Sequence, residues 1–151
     1  MAEHRVSVDI AASPEYVFAL WMNLDRMAEW VGGVTKVTDL SGPIDVAGTS
    51  YVVHFGPMKS PTEILEVDRP HHVRTRFGNL ILKGESEVRF EPTPTGTRLT
   101  QVFRTRGVIS ALTGRLFAAG SHEGSFKGEL EKFRTIAESG LAHHEAPKDT
   151  Q

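Results

Sequence analysis

The chain has 151 residues, of which 39% are hydrophobic and 24% charged, and a formal net charge of -2. That is enough for one domain with its own core, and there is no basic excess to neutralise a phosphate backbone, which speaks against nucleic acid as a partner. There is no cysteine, which removes disulfides, thiolate metal sites and a cysteine nucleophile.

The first stretch, "HRVSVDI", alternates Val6, Val8 and Ile10 with polar residues, the pattern of a half-buried strand. In "ASPEYVFALWMN", Ser13 can cap, Pro14 suits the first helical position and Glu15 favours the positive end of the helix dipole, so a helix is predicted over 14–23. "LDRMAEWVGG" reads as a second short helix stopped by Gly32 and Gly33. Six strand signals follow: "VTKVTDL", "TSYVVHF", "TEILEVD", "HVRTRFG", "ESEVRFE" and "TRLTQVFRTR". Their connections, "SGPIDVAG", "GPMKSP", "RPHH" and "PTPTG", are short and rich in Gly and Pro, which predicts antiparallel neighbours. After Gly107 the period becomes helical, to about Ser139. The expected organisation is one domain over 1–140 and a polar, fraying tail over 141–151. No apolar run marks a signal segment or a membrane span, so a cytoplasmic protein without stable membrane insertion is expected.

A sheet with one polar face must bury the other, and the last helix is the only element long enough to cover it. Alternation predicts an inner set of Tyr51, Val53, Phe55, Val73, Thr75, Phe77, Ser86, Val88, Phe90, Leu99, Gln101, Phe103 and Thr105. It places Arg74, Arg76, Glu85, Glu87, Arg89, Arg98 and Arg104 on the outer face, where cross-strand pairs are expected. On the helix, Leu112, Leu116, Ala119, Glu123, Phe126, Leu130, Phe133 and Ala137 form one stripe whose charged member is Glu123. Gly120, Gly124 and Gly128 each cost about 1 kcal/mol relative to Ala inside a helix. They mark a segment that yields to admit a ligand, the close approach of a neighbouring loop, or plain tolerance on an exposed face, and a break near Gly120 would give two shorter helices.

Taken together, "VSVDIAASPEYVFALWMNLDRMAEWVGGVTKV", "ILEVDRPHHVRTRF", "PTPTGTRLTQVF" and "LEKFRTIAE" resemble the START-like, Bet v 1-like (SRPBCC) superfamily, and within it the polyketide cyclase/dehydrase and lipid-transport group. The resemblance runs from about Val6 to Glu138. It implies an α+β helix-grip fold: a seven-stranded antiparallel sheet wrapped around a long C-terminal helix, with two short helices after the first strand and an apolar cavity. Such cavities hold lipids, quinones or aromatic polyketide-like molecules. The group has no universal catalytic motif, so no residue set carries over.

The candidate ligand wall is then Trp30, Tyr51, Val53, Phe55, Thr75, Phe77, Val88, Gln101, Phe103, Leu116, Ala119, Gly120 and Glu123, with Glu123 and Tyr51 the candidate proton-moving groups. A carboxylate at Glu123 facing an apolar space needs a partner or a proton. It either meets a ligand or pairs with Lys127 or Gln101. Trp30 stands either at the cavity mouth or in the core. His71 and His72 fall in a turn, His143 and His144 in the tail, and His54 points outward by alternation unless a bulge shifts it. No ligand spacing suggests a metal, and no cofactor is expected. Binding or transport of a small hydrophobic ligand is the leading reading. A cyclase or dehydratase and a chaperone-activator-like interaction module are the alternatives.

Overall fold

The structure, a computed structural model, describes residues 2–78, 83–106 and 122–149. Strand β1 (Ala2–Ile10) leads into helix α1 (Pro14–Trp21), a 3-10 helix (Leu24–Glu29) and strands β2 (Lys36–Thr38), β3 (Ser50–Phe55), β4 (Met58–Asp68), β5 (His72–Gly78), β6 (Lys83–Thr93) and β7 (Gly96–Arg106). The long helix α2 (His122–Asp149) closes the order. All seven strands form one antiparallel sheet, β1-β7-β6-β5-β4-β3-β2. This is the α+β architecture of a helix-grip fold.

Local chemistry explains most boundaries. Ser13 accepts the Tyr16 N–H, and Pro14 opens α1. The second helical signal forms a 3-10 turn; its cap residue, Asn23, makes no side-chain capping bond. β2 is shorter than predicted because Asp39 adopts φ 60°, in the left-handed region that ends a strand. "GPMKSP" is not a loop: Gly56, at φ 63°, and Pro57 make a two-residue hairpin turn, and Met58 to Pro61 already belong to β4. The register of β4 against β5 shifts between Ile64 and Glu66, so Leu65 is a bulge. Gly96 is required where β7 starts, since a Cβ there would stand 2.1 Å from the Ile10 carbonyl oxygen. The helix predicted to end near Ser139 runs on to Asp149, through the segment expected to fray.

The inner face follows the predicted alternation. Tyr51, Val53, Val73, Val88, Phe90, Leu99 and Gln101 are buried. Phe18 of α1 meets Phe90 edge-on at 5.2 Å. On α2, Leu130, Phe133 and Ala137 are buried, so the described half of the predicted stripe faces the core. Three side chains tether the helix: Glu129 accepts the Gly32 N–H at 2.9 Å, Glu138 accepts the Ala11 N–H at 2.9 Å, and the Lys127 ammonium donates to the Ser7 carbonyl. The outer face carries the expected ion pairs, among them Arg76 with Glu63 at 2.8 Å and Arg98 with Asp9 at 2.9 Å.

Candidate functional site

The inner face is uneven along the strands. Two facing rows hold its polar groups: Tyr51, Thr62, Phe77 and Gly84 in one, and Ile64, Thr75, Ser86, Phe103 and His4 in the next. Phe103 stacks on Phe126 of α2 with centroids 4.4 Å apart, and Phe77 meets Phe103 edge-on at 6.1 Å. Thr75, Phe77, Ser86 and Phe103 are half-buried, unlike the closed rows beyond them. This end offers aromatic surface studded with hydroxyls, the composition of a pocket that orients an apolar ligand.

Tyr51 is the sharpest feature. Its side chain is buried, at 6% exposure, and among the described residues its hydroxyl has no hydrogen-bond partner. Burial pushes its pKa up to about 12. At neutral pH it is therefore a proton donor and not a base. Gln101 gives its Nε2 to the Ser86 Oγ at 3.4 Å, which leaves the Ser86 hydroxyl hydrogen and the Gln101 carbonyl oxygen for other partners.

Other predicted residues lie elsewhere. Trp30 is buried in the core, 4.9 Å from the Phe133 ring and stacked on Trp21 at 6.1 Å. Val53 and Val88 are core, and Phe55 is half-buried beside Gly33. Leu116, Ala119 and Gly120 lie outside the described residues, as do the side chains of Glu123 and Thr105. α2 passes unbroken through Gly124 and Gly128, and Gly128 faces open space.

Sequence reasoning missed three groups. Thr62 is buried beside Tyr51, a position visible in the alternation of Thr62 and Ile64 but obscured by the bulge that follows. Glu129 is a half-buried carboxyl whose pKa is raised by burial against the opposing pull of the Gly32 N–H and Lys132; nothing in the helix pattern marks it. The third is a chain on the outer face. Thr38 Oγ1 lies 3.0 Å from Asp39 Oδ2 and 2.7 Å from His54 Nε2. The carboxylate only accepts, so the Thr38 hydrogen goes to Asp39, and His54 must carry its proton on Nε2 to donate to Thr38. His54 thus stays on the outer face as alternation expected, yet it is buried.

A groove of about 890 Å³ crosses β3 to β6 at the same end of the sheet. Its wall includes Asp39, Val52, Pro61, Glu63, Arg76, Gly78 and Lys83, with Tyr51 and Phe77 the two predicted residues that also border it. By register, Glu63 and Arg76 belong to the face opposite the Tyr51 side chain. Among the described residues no helix is long and apolar enough to cross a membrane.

Comparison with known structures agrees with this fold. The chain is similar in fold to protein BH1534 of Bacillus halodurans, at TM-score 0.71 and 16% identity over 91% of this chain and 98% of that one. Protein MLL2253 of Mesorhizobium loti matches at TM-score 0.69 and 16% identity, covering 89% and 96% of the two chains. DynU16, from the dynemicin biosynthetic locus, matches at TM-score 0.68 and 19% identity over 91% of this chain and 48% of that one. No functionally curated protein matches. The family profile described as polyketide cyclase / dehydrase and lipid transport covers residues 1–138, and the chain belongs to that family.

Proposed function

We propose that this protein binds a small hydrophobic or aromatic molecule against the open end of the inner face, between the sheet and α2, and that it does so in the cytoplasm. The observation that carries this reading is Tyr51. Its ring is buried while its hydroxyl, without a partner among the described residues, belongs to a residue that borders the groove, so a ligand oxygen placed there would gain a hydrogen bond. Phe77 and Phe103 supply flat apolar surface on the same wall. Binding ranks above turnover because the described wall presents donors without a base and nucleophile set. If the ligand is converted, as the family name allows, the chemistry is positional: the wall folds the substrate, and Tyr51, held neutral by burial, gives a proton or a hydrogen bond to a developing oxyanion.

The test is native mass spectrometry of the purified protein, with extraction and identification of whatever accompanies it, followed by titration of that compound into the Tyr51→Phe variant. A stoichiometric apolar ligand that binds the variant about tenfold more weakly supports the reading, since one hydrogen bond of about 1.4 kcal/mol corresponds to that factor. A protein that arrives empty and gains no thermal stability from a panel of apolar aromatic compounds overturns it.

A further inference from the structure

On the outer face of the sheet most of the charges are spent on one another. Arg74 is paired with Glu66 and with Glu85 at 3.0 Å, while Glu87 draws His72 at 2.7 Å, Arg89 at 3.1 Å and Arg104 at 3.5 Å. The pattern breaks where β5, β6 and β7 reach the open end. Lys83 has no ion pair or hydrogen bond among the described residues. Its facing register position on β7 is Arg106, a like charge directly opposite, which on its own is destabilising. Its facing position on β5 is Gly78, which has no side chain to fill the space, and its diagonal neighbour there is Arg76. Lys83, Gly78 and Arg76 all line the groove of about 890 Å³.

We propose that this end of the groove is an anion site: a phosphate or carboxylate group sits beside Gly78, held by the Lys83 ammonium and the remaining N–H groups of Arg76. Arg76 gives one Nη to Glu63 at 2.8 Å and keeps further donors. The acids nearby already have donors. Glu63 takes Arg76, Glu85 takes Arg74, and Asp39, also in the groove wall, takes the Thr38 hydroxyl. Asp39 stands across the groove on the β2 and β3 side, so the groove is electrostatically directional and its anion end is fixed.

The experiment is a titration of the full chain with inorganic phosphate, and separately with acetate, at constant low ionic strength, read by the backbone amide signals of Gly78 and Lys83 and by the melting temperature. The expected result is a saturable shift at both amides and a rise in melting temperature. Lys83→Gln, an exposed substitution, should weaken the binding by about tenfold, while Lys36→Gln on the far edge strand should leave it unchanged. Co-sedimentation with phosphatidylglycerol vesicles, lost in Lys83→Gln, would assign the anion to a lipid headgroup; phosphate or acetate binding without vesicle binding would assign it to a soluble ligand. A shift that never saturates and that sodium chloride reproduces, or equal affinity in Lys83→Gln, overturns the site. Lys83→Gln reads the anion end and Tyr51→Phe reads the inner-face ligand, so failure of one is distinguishable from failure of the other.

Discussion

The two ends of the inner face are built from the same strands and covered by the same helix, yet they are packed to different standards. At the closed end Ile10, Phe18, Phe90, Leu99 and Phe133 are all exposed by 2% or less. At the open end Thr75, Phe77, Ser86 and Phe103 keep part of their surface accessible, and hydroxyls interrupt the rings. The contrast separates the part of the inner face that drives folding from the part that does not. Apolar area removed from water drives folding, and that area is concentrated at the closed end. The open end forgoes close packing and retains polar groups that a core would not choose.

The largest test of this division compares two phenylalanines. Phe133 is fully buried between Trp21, at 5.1 Å, and Trp30, at 4.9 Å. Phe133→Ala should lower the unfolding free energy by about 3–5 kcal/mol, from lost transfer and an unfilled cavity. Phe77→Ala should cost less than half as much while weakening the binding of an apolar probe. Equal losses in urea unfolding would mean that the open end is core and not a ligand wall.

The Tyr51→Phe variant sharpens the comparison in the opposite sense. Removing a hydroxyl that has no partner among the described residues should change stability by less than about 1 kcal/mol. The same substitution at a satisfied core tyrosine is destabilising. A clear loss of stability would show that Tyr51 serves the fold, and would take it out of the ligand site.

Much of this division was written in the sequence, but not all of it for the same reason. Period-two alternation is a statement about faces, and it placed Tyr51, Val88, Leu99 and Gln101 inward because the pleat leaves no alternative once one face is covered. It says nothing about depth along the strand, so Trp30, offered as a mouth residue or a core residue, needed the structure to show it against Phe133. Bulges and tight turns reset the count: Leu65 and the Gly56-Pro57 turn hid Thr62 and the start of β4. Glu129 and the Thr38, Asp39 and His54 chain were invisible because each depends on contacts between segments that no local pattern encodes.

Acid and base titration of stability should divide along the two faces of the sheet. Glu129, which accepts the Gly32 N–H, has a pKa raised by burial, so the native state holds its proton more tightly than the unfolded chain. Its contribution is fully present below the unfolded value near 4.5 and is lost as pH rises through the higher folded value. Glu87, on the outer face, loses some affinity for charge through burial but is carried below 4.5 by the hydrogen bond from His72 and the charges of Arg89, His72 and Arg104. Its contribution is present above 4.5 and fades as pH falls through the lower folded value. Urea midpoints measured across this range should show Glu129→Gln more stable than the parent at neutral pH, with the gap closing on acidification. Glu87→Gln should be less stable at neutral pH, with its gap closing in the same direction. A Glu129→Gln gap that widens in acid would reverse the sign assigned to its burial.

The smallest expected effect concerns the helix that joins the two ends. At Gly128 a Cβ would meet no atom within 4 Å, whereas at Gly140 it would stand 2.6 Å from the Tyr16 hydroxyl. Gly128→Ala should therefore stabilise the protein by up to about 1 kcal/mol, through helix propensity alone. Gly140→Ala should not share that gain, because the Tyr16 ring has to move. If yielding of α2 near Gly128 admits the ligand, Gly128→Ala will also slow probe association measured by stopped flow, without changing the equilibrium affinity. A stabilised variant with an unchanged association rate would leave Gly128 as a glycine tolerated on an exposed face.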